Sequence, residues 1–258
     1  MLLRTALCFA ICAAVHGQVL PGQLDTQISV DDDHWRLSIS PYLWLAGTTG
    51  AVGLAGHEAQ VSSSFGDILS HIKFGLMGLS EARRKRVGIL VDFLFIRVGD
   101  QQAVPLAGIP NGVNVEATQN TFTLSPYLAY RLYQNDRVSM DALAGIRYWH
   151  LGAAIKLNPD PIGGSPFSGT NNWADGVGGG RLQIKLTPRI GAFFLGDAGA
   201  GGADVTWQAV TGLGYKLGKS ATLQLGYRRD YVDRYGSSGF IFNMTQQGLI
   251  LGSTFEIN

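Results

Sequence analysis

From Trp35 onward the chain alternates apolar and polar residues with period two, in about ten runs of strand length separated by turns that are alternately short and long. The clearest run is 119–132. There Phe122, Leu124, Leu128, Tyr130 and Leu132 share one face, and Gln119, Thr121, Thr123, Ser125, Tyr127 and Arg131 the other. In 138–157, Met140, Ala142, Ala144, Ile146 and Tyr148 oppose Asp141, Leu143, Gly145, Arg147 and Trp149. The last run sets Leu249, Leu251, Phe255 and Ile257 against Gln246, Gly248, Gly252, Thr254 and Glu256. One face carries almost no charge in mid-strand, while the other mixes Arg, Asp, Glu, Gln, Ser and Gly. That division fits a sheet with hydrocarbon outside and a polar lumen inside.

Connections at 83–86, 133–137, 187–188 and 218–220 are short, and those at 47–73, 99–116, 158–172, 199–203 and 234–238 are mostly longer and rich in Gly, Pro and Asn. This predicts an all-β, antiparallel up-and-down transmembrane β-barrel of about ten strands, with both ends in the periplasm and eight or twelve strands as alternatives. Segment 47–73 sets the count. Residues 51–65 have the pattern of a weak hairpin, and Phe65, Ile68, Leu69 and Ile72 that of one face of a short helix. The expectation is an extracellular or lumen-folded excursion that stays out of the wall.

A soluble, lipocalin-like ligand-binding barrel would use the same alternation in reverse, with apolar residues inside. Against it stand aromatics near strand ends on the apolar face, namely Tyr130, Tyr148, Trp207, Tyr215, Tyr227 and Phe255, placed as in membrane-interface girdles. Ser40-Pro41-Tyr42-Leu43 and Ser125-Pro126-Tyr127-Leu128 repeat inside strands, and each proline marks a bulge or a break in a ladder.

The first residues address the chain. Arg4, an apolar run from Leu7 to Val15, and the small-residue exit at Gly17 read as a cleaved signal peptide over 1–17, followed by a polar arm over 18–34 and the barrel over 35–258. Cys8 and Cys12, the only cysteines, leave with the signal, so neither a disulfide framework nor a Cys metal site is expected. The 20 basic residues, less Arg4, balance the 19 acidic ones, which gives no basic stripe for a nucleic acid. Asp31-Asp32-Asp33-His34 reads as a solvated tail.

The candidate chemistry lies on the polar face: Arg36, Glu81, Asp92, Asp141, Arg147, Asp175, Arg181, Asp197, Arg228 and Asp230. Signs are mixed, and groups of this kind in a narrow lumen must pair. Two readings stay open, a sealed lumen held by an ion network and a narrow channel for small polar solutes. No catalytic set is expected, since His150 alone among the histidines falls in a wall strand and has no partner fixed by spacing. An outer-membrane hydrolase is kept as an alternative, and neither a cofactor nor a metal is expected.

Ser80-Glu81-Ala82-Arg83-Arg84, Gly145-Ile146-Arg147-Tyr148-Trp149, Thr206-Trp207-Gln208-Ala209 with Gly212-Leu213-Gly214-Tyr215, and Leu225-Gly226-Tyr227-Arg228 resemble bacterial outer-membrane β-barrel proteins of a largely uncharacterised, porin-like family. The resemblance covers nearly all of the mature chain and implies location and fold, with no substrate. The C-terminal Phe255-Glu256-Ile257-Asn258 departs from the aromatic last residue common in such barrels. Expected partners are outer-membrane lipids, lipopolysaccharide and the barrel-assembly machinery.

Overall fold

The computed structural model describes residues 33–54, 57–106, 109–159, 167–218, 220–236 and 239–257. The expected signal peptide and all of the arm before Asp33 lie outside the described residues. The elements in chain order are β1 (Arg36–Leu54), β2 (His57–Ser63), α1 (Phe65–His71), β3 (Ile72–Arg84), β4 (Val87–Leu106), β5 (Ile109–Gln134), β6 (Val138–Asn158), β7 (Phe167–Lys185), β8 (Ile190–Gly201), β9 (Val205–Lys216), β10 (Ala221–Tyr235) and β11 (Ile241–Ile257). Every neighbour in the wall is antiparallel, and β11 pairs with β1 from Leu37–Ile257 to Gly53–Ile241, which closes β1 and β3 to β11 into a ten-stranded barrel. The strand β2 pairs only with β1, near its end, and adds no strand to the wall.

The observed faces follow the alternation. Leu43, Leu76, Ile89, Leu128, Ile146, Leu213, Leu225 and Leu251 are exposed on the outside, and Tyr42, Met77, Leu90, Tyr127, Arg147, Gln208, Gln224 and Ile250 are buried inside. On β5 the outward apolar run from Leu132 to Phe122 climbs about 26 Å at a tilt of about 40°. That matches the apolar band of membrane barrels, about 25 Å tall. No helix is long and apolar enough to cross a membrane, which has no bearing on strands.

Strands outlast the apolar band. The expected loop 99–116 is largely an extension of β4 and β5, with Gly99–Thr118 to Val104–Val113 still laddered, and within 158–172 the residues from Phe167 onward belong to β7. Beyond Phe95 the outward positions turn polar at Arg97, while the inward Ile96 and Val98 stay buried.

Segment 47–73 forms both expected pieces. Ser64 caps α1: its Oγ accepts from the Asp67 amide at 3.2 Å, and its own amide donates to Asp67 Oδ2 at 2.9 Å. Ile68 is buried in the core cluster beside Trp44 and Ile96, with Ile72 packed against it, whereas Leu69 is exposed, so only part of the expected apolar face is used. The helix packs on β1 and β4. Both repeated prolines interrupt ladders, because β1 skips Ser40 and Pro41 against β11 and β5 skips Ser125 and Pro126 against β6.

Candidate functional site in the barrel lumen

Period two brings charges from distant strands to one interior. Near the short-turn end, Glu81 and Arg83 of β3, Arg131 of β5, Asp141 of β6 and Arg181 of β7 form one cluster. Arg181 reaches across the lumen to β3, with NH1 donating to Glu81 Oε2 at 2.7 Å and NH2 to Glu81 Oε1 at 2.9 Å. It also donates to Asp141 Oδ2, from NH2 at 2.6 Å and from Nε at 2.9 Å. Arg83 donates to Glu81 at 2.8 Å and to Asp141 at 3.0 Å, and Arg131 Nε to Asp141 Oδ1 at 2.5 Å. Asp141 thus serves all three arginines. Three cations and two anions leave this cluster one positive charge in excess.

A second cluster lies further into the barrel. Arg147 NH2 donates to Asp197 Oδ1 at 2.6 Å and to the Tyr127 hydroxyl at 3.1 Å, and NH1 donates to Thr206 Oγ1 at 2.9 Å. The Tyr127 hydroxyl donates to Asp197 Oδ2 at 3.1 Å, and Gln208 Nε2 donates to the same carboxylate. Tyr42 donates to Asp92 Oδ1 at 2.9 Å. Arg228 is held by Asp230 at 2.6 and 2.7 Å and lies over the Trp44 ring, 4.7 Å from its centroid. Asp92, Arg147, Asp197, Arg228 and Asp230 sum to one negative charge, which offsets the excess of the first cluster.

These side chains are out of reach of water. Asp92 and Arg228 are 0 % exposed, as are Thr121, Thr123 and Ser125 on the lumen face of β5. Charges taken out of water are costly unless they are paired and hydrogen-bonded. Towards the long-loop end the interior turns apolar. Trp149 and Trp173 stack at 5.4 Å and 12°, and Phe242, Val52, Val61 and Met244 complete the layer.

Of the ten residues expected to form one network, eight fall into these two clusters. Asp175 stands apart. Its Oδ1 accepts from the Ala203 amide at 2.6 Å and its Oδ2 from Trp173 Nε1 at 3.2 Å, so it fastens the β8–β9 turn. Arg36 is half-buried at the barrel end, opposite Arg83 in the ladder and outside both sets of contacts. The expected set omitted Arg83 and Arg131, although parity places both inward: Arg83 lies two residues from Glu81, and Arg131 four from Tyr127. It also omitted Tyr42, Tyr127 and Gln208, neutral groups that add hydrogen bonds, although Arg83 Nη1, Arg147 Nε and Arg228 Nη1 stay buried without a hydrogen-bond partner among the described residues.

The rim holds one arrangement with the composition of a nucleophile and base. Ser70 Oγ lies 2.8 Å from His71 Nδ1, and His71 Nε2 lies 3.8 Å from Asp100. The Asp67 carbonyl oxygen lies 2.7 Å from both Ser70 Oγ and His71 Nδ1. A carbonyl only accepts, so Nδ1 carries the proton there and offers no lone pair to Ser70. The pair therefore caps α1 and does not activate a hydroxyl. His150 pairs with Asn172 at 2.6 Å. Among the described residues no group of His, Cys, Asp and Glu could hold a metal ion.

No protein-family model matches the chain, and no curated protein matches its sequence. Solved structures match in fold. The outer-membrane protease OmpT of Escherichia coli superposes with a TM-score of 0.58 at 7% identity, covering 89% of this chain and all (100%) of that one. The transport unit of the autotransporter AIDA-I of Escherichia coli gives 0.42 at 7% identity, over 98% of this chain and 97% of that one. Neisserial surface protein A gives 0.34 at 12% identity, over 86% and 96%. The chain has the fold of bacterial outer-membrane β-barrels.

Proposed function

We propose that the protein resides in the bacterial outer membrane as a barrel with a sealed lumen, in a structural or surface role and not as a conduit for solutes. The carrying observation is the cluster of Glu81, Arg83, Arg131, Asp141 and Arg181, whose members come from four strands, meet across the lumen and are at most 3 % exposed. A conducting lumen keeps its charges hydrated so that ions can trade water for protein contacts. Here the charges are spent on one another. The apolar layer around Trp149 and Trp173 closes the long-loop end independently. The membrane setting is supported by the height of the outward apolar band and by the shared fold, and it makes outer-membrane lipids and the assembly machinery the natural partners.

Reconstitution of the purified barrel in a planar lipid bilayer, with a general porin as positive control, tests the sealed lumen. The expected result is no discrete conductance steps from this protein under conditions where the control conducts. Regular steps from the wild-type chain overturn it. The membrane setting has its own test: the mature protein needs detergent for extraction and shows a heat-dependent gel shift. A protein that stays in the aqueous phase without detergent refutes that part.

A further inference from the structure

The wall is incompletely laddered at one place. Strand β1 pairs with β3 from Arg36–Arg83 to Pro41–Gly78, and on that side it resumes pairing only at Thr48, with β2. Between these points 42–47 face 72–77 across a seam. Proline sits where the ladder stops, and α1 backs the seam from β1 and β4, with Ile68 in the core. Outside, the seam opens into an apolar groove of about 810 Å³ lined by Pro41, Leu43, Leu76, Leu213, Leu225 and Leu251. Gly75, at the lip, is exposed.

Two cations stand on the β4 side of β3, beyond Gly75 and outside the residues that line the groove. Arg97 follows Phe95 on the outer face of β4, where the apolar band ends, opposite Phe74 in the ladder. The register shift between Ile72 and Phe74 places Lys73 so that its Cε lies against the outer side of Gly99, next but one to Arg97. Both side chains are exposed, and neither makes an ion pair among the described residues. Phe74 and Phe95, with rings 5.8 Å apart, lie just below them. An anionic group above and a hydrocarbon chain below would satisfy both parts of this surface.

We propose that the β1–β3 seam is a binding site for one phosphate-bearing membrane lipid, with its headgroup on Lys73 and Arg97 and an acyl chain laid in the groove beside Leu43 and Leu76. Cations at a membrane interface attract anionic headgroups, and the guanidinium of Arg97 gives a phosphate a forked donor. The volume lies within the range of small-molecule pockets, about 300 to 1,000 Å³. This inference rests on the membrane setting proposed above and is independent of whether the lumen conducts.

Native mass spectrometry of the detergent-purified, heat-modifiable barrel, titrated with phosphatidylglycerol and phosphatidylcholine of matched chains, tests it. The wild type is expected to retain the anionic lipid at least about fivefold better. The double variant Lys73→Ala/Arg97→Ala should lose that preference. Lys73→Arg/Arg97→Lys should keep it, as should Arg229→Ala, which removes an interfacial cation stacked on Trp207. Glycerol phosphate, which has the headgroup charge without the chain, should not displace the lipid. Equal retention of the two lipids overturns the site. So does a preference lost equally in Arg229→Ala, or displacement by glycerol phosphate. Failure of the membrane setting would appear earlier, as a chain that needs no detergent.

Discussion

Replacing Asp141 by Ala should be among the most damaging single changes in the barrel. Asp141 is the shared acceptor of Arg83, Arg131 and Arg181, at 3.0, 2.5 and 2.6 Å. Its loss leaves three buried guanidiniums facing Glu81 alone, two positive charges in excess where there was one. Breaking a buried ion pair from one side costs about 3–5 kcal/mol, because the partner stays desolvated and unpaired. With Arg131 stripped of its carboxylate and Arg83 and Arg181 left to share Glu81, the upper end of that range applies. At a guanidinium slope of about 4 kcal/mol per molar, such a loss moves the unfolding midpoint down by about 1 M. Arg131 has one carboxylate partner and carries the cluster's excess charge, so Arg131→Met should cost at least about 2 kcal/mol less. In the Arg131→Met background Asp141→Ala should also hurt less, and a double-mutant cycle reads that coupling directly. The assay is guanidinium unfolding of the barrel refolded in vesicles, followed by tryptophan fluorescence and by the heat-dependent gel shift. A midpoint shift below about 0.2 M for Asp141→Ala at unchanged slope, or equal costs for the two single variants, would refute the argument that the cluster is a mutually dependent unit.

At the short-turn end, Asp33 Oδ1 pairs with Arg84 at 2.7 Å and Lys85 at 3.0 Å. The Arg84 hydrogen bond, followed by that of Lys85, lowers its pKa from 3.8 to about 2. A depressed acid stabilises this contact above its unfolded value, and that contribution fades as pH falls through about 2. An NMR titration of Asp33 should therefore show its midpoint near 2, moving back towards 3.8 in Arg84→Ala; a wild-type midpoint at the ordinary value would show the contacts to be absent in solution. Gly212 faces inward, where an added Cβ would stand 2.6 Å from the Phe193 ring and against the Leu225 carbonyl. Gly212→Ala is expected to cost about 1–3 kcal/mol by overpacking, seen as a lower gel-shift temperature, while the outward Ala209→Ser leaves it unchanged; a tolerated Gly212→Ala would mean the lumen has slack there.

The wall was legible because both of its solvents leave marks on the chain. Hydrocarbon outside forbids charge at Leu124 or Leu225, and a packed interior places Arg147 and Arg228 on the opposite parity. Above the band this contrast fails. Outward residues such as Arg97 and Gly99 are no longer apolar, so 99–116 reads as loop although Ile96 and Val98 keep the inward half of the pattern. Arg83 was hidden by its neighbours. In Arg83-Arg84-Lys85-Arg86 all four look like a charged turn; Arg83 and Lys85 share the parity of Glu81, but Lys85 lies in the turn with φ 51°, and of the three arginines Arg83 alone is wholly buried. The seam left one local trace, Pro41, but its twin Pro126 sits in a wall that stays paired to β4 at Val91. Which proline ends a ladder depends on whether a hairpin and helix follow, a long-range fact.

Glycine on the polar face bears on whether the lumen is open. Read from sequence, those residues distinguish the face from an ordinary solvated exterior, and they are compatible with open space. In the barrel the space is taken. At Gly88 an added Cβ would lie 3.0 Å from the Arg83 guanidinium, and at Gly212 the Phe193 ring occupies the equivalent position. A long side chain on one strand is matched by a missing one on the next, which is how a closed interior reaches close packing without overlap. A pore of the same strand number would leave such gaps to water and keep its charges apart. This chain pairs long with short and positive with negative throughout the middle of the barrel, so volume and charge independently favour a sealed lumen. Their common consequence is that widening the interior by trimming one arginine, as in Arg181→Ala, should destabilise the wall before it conducts.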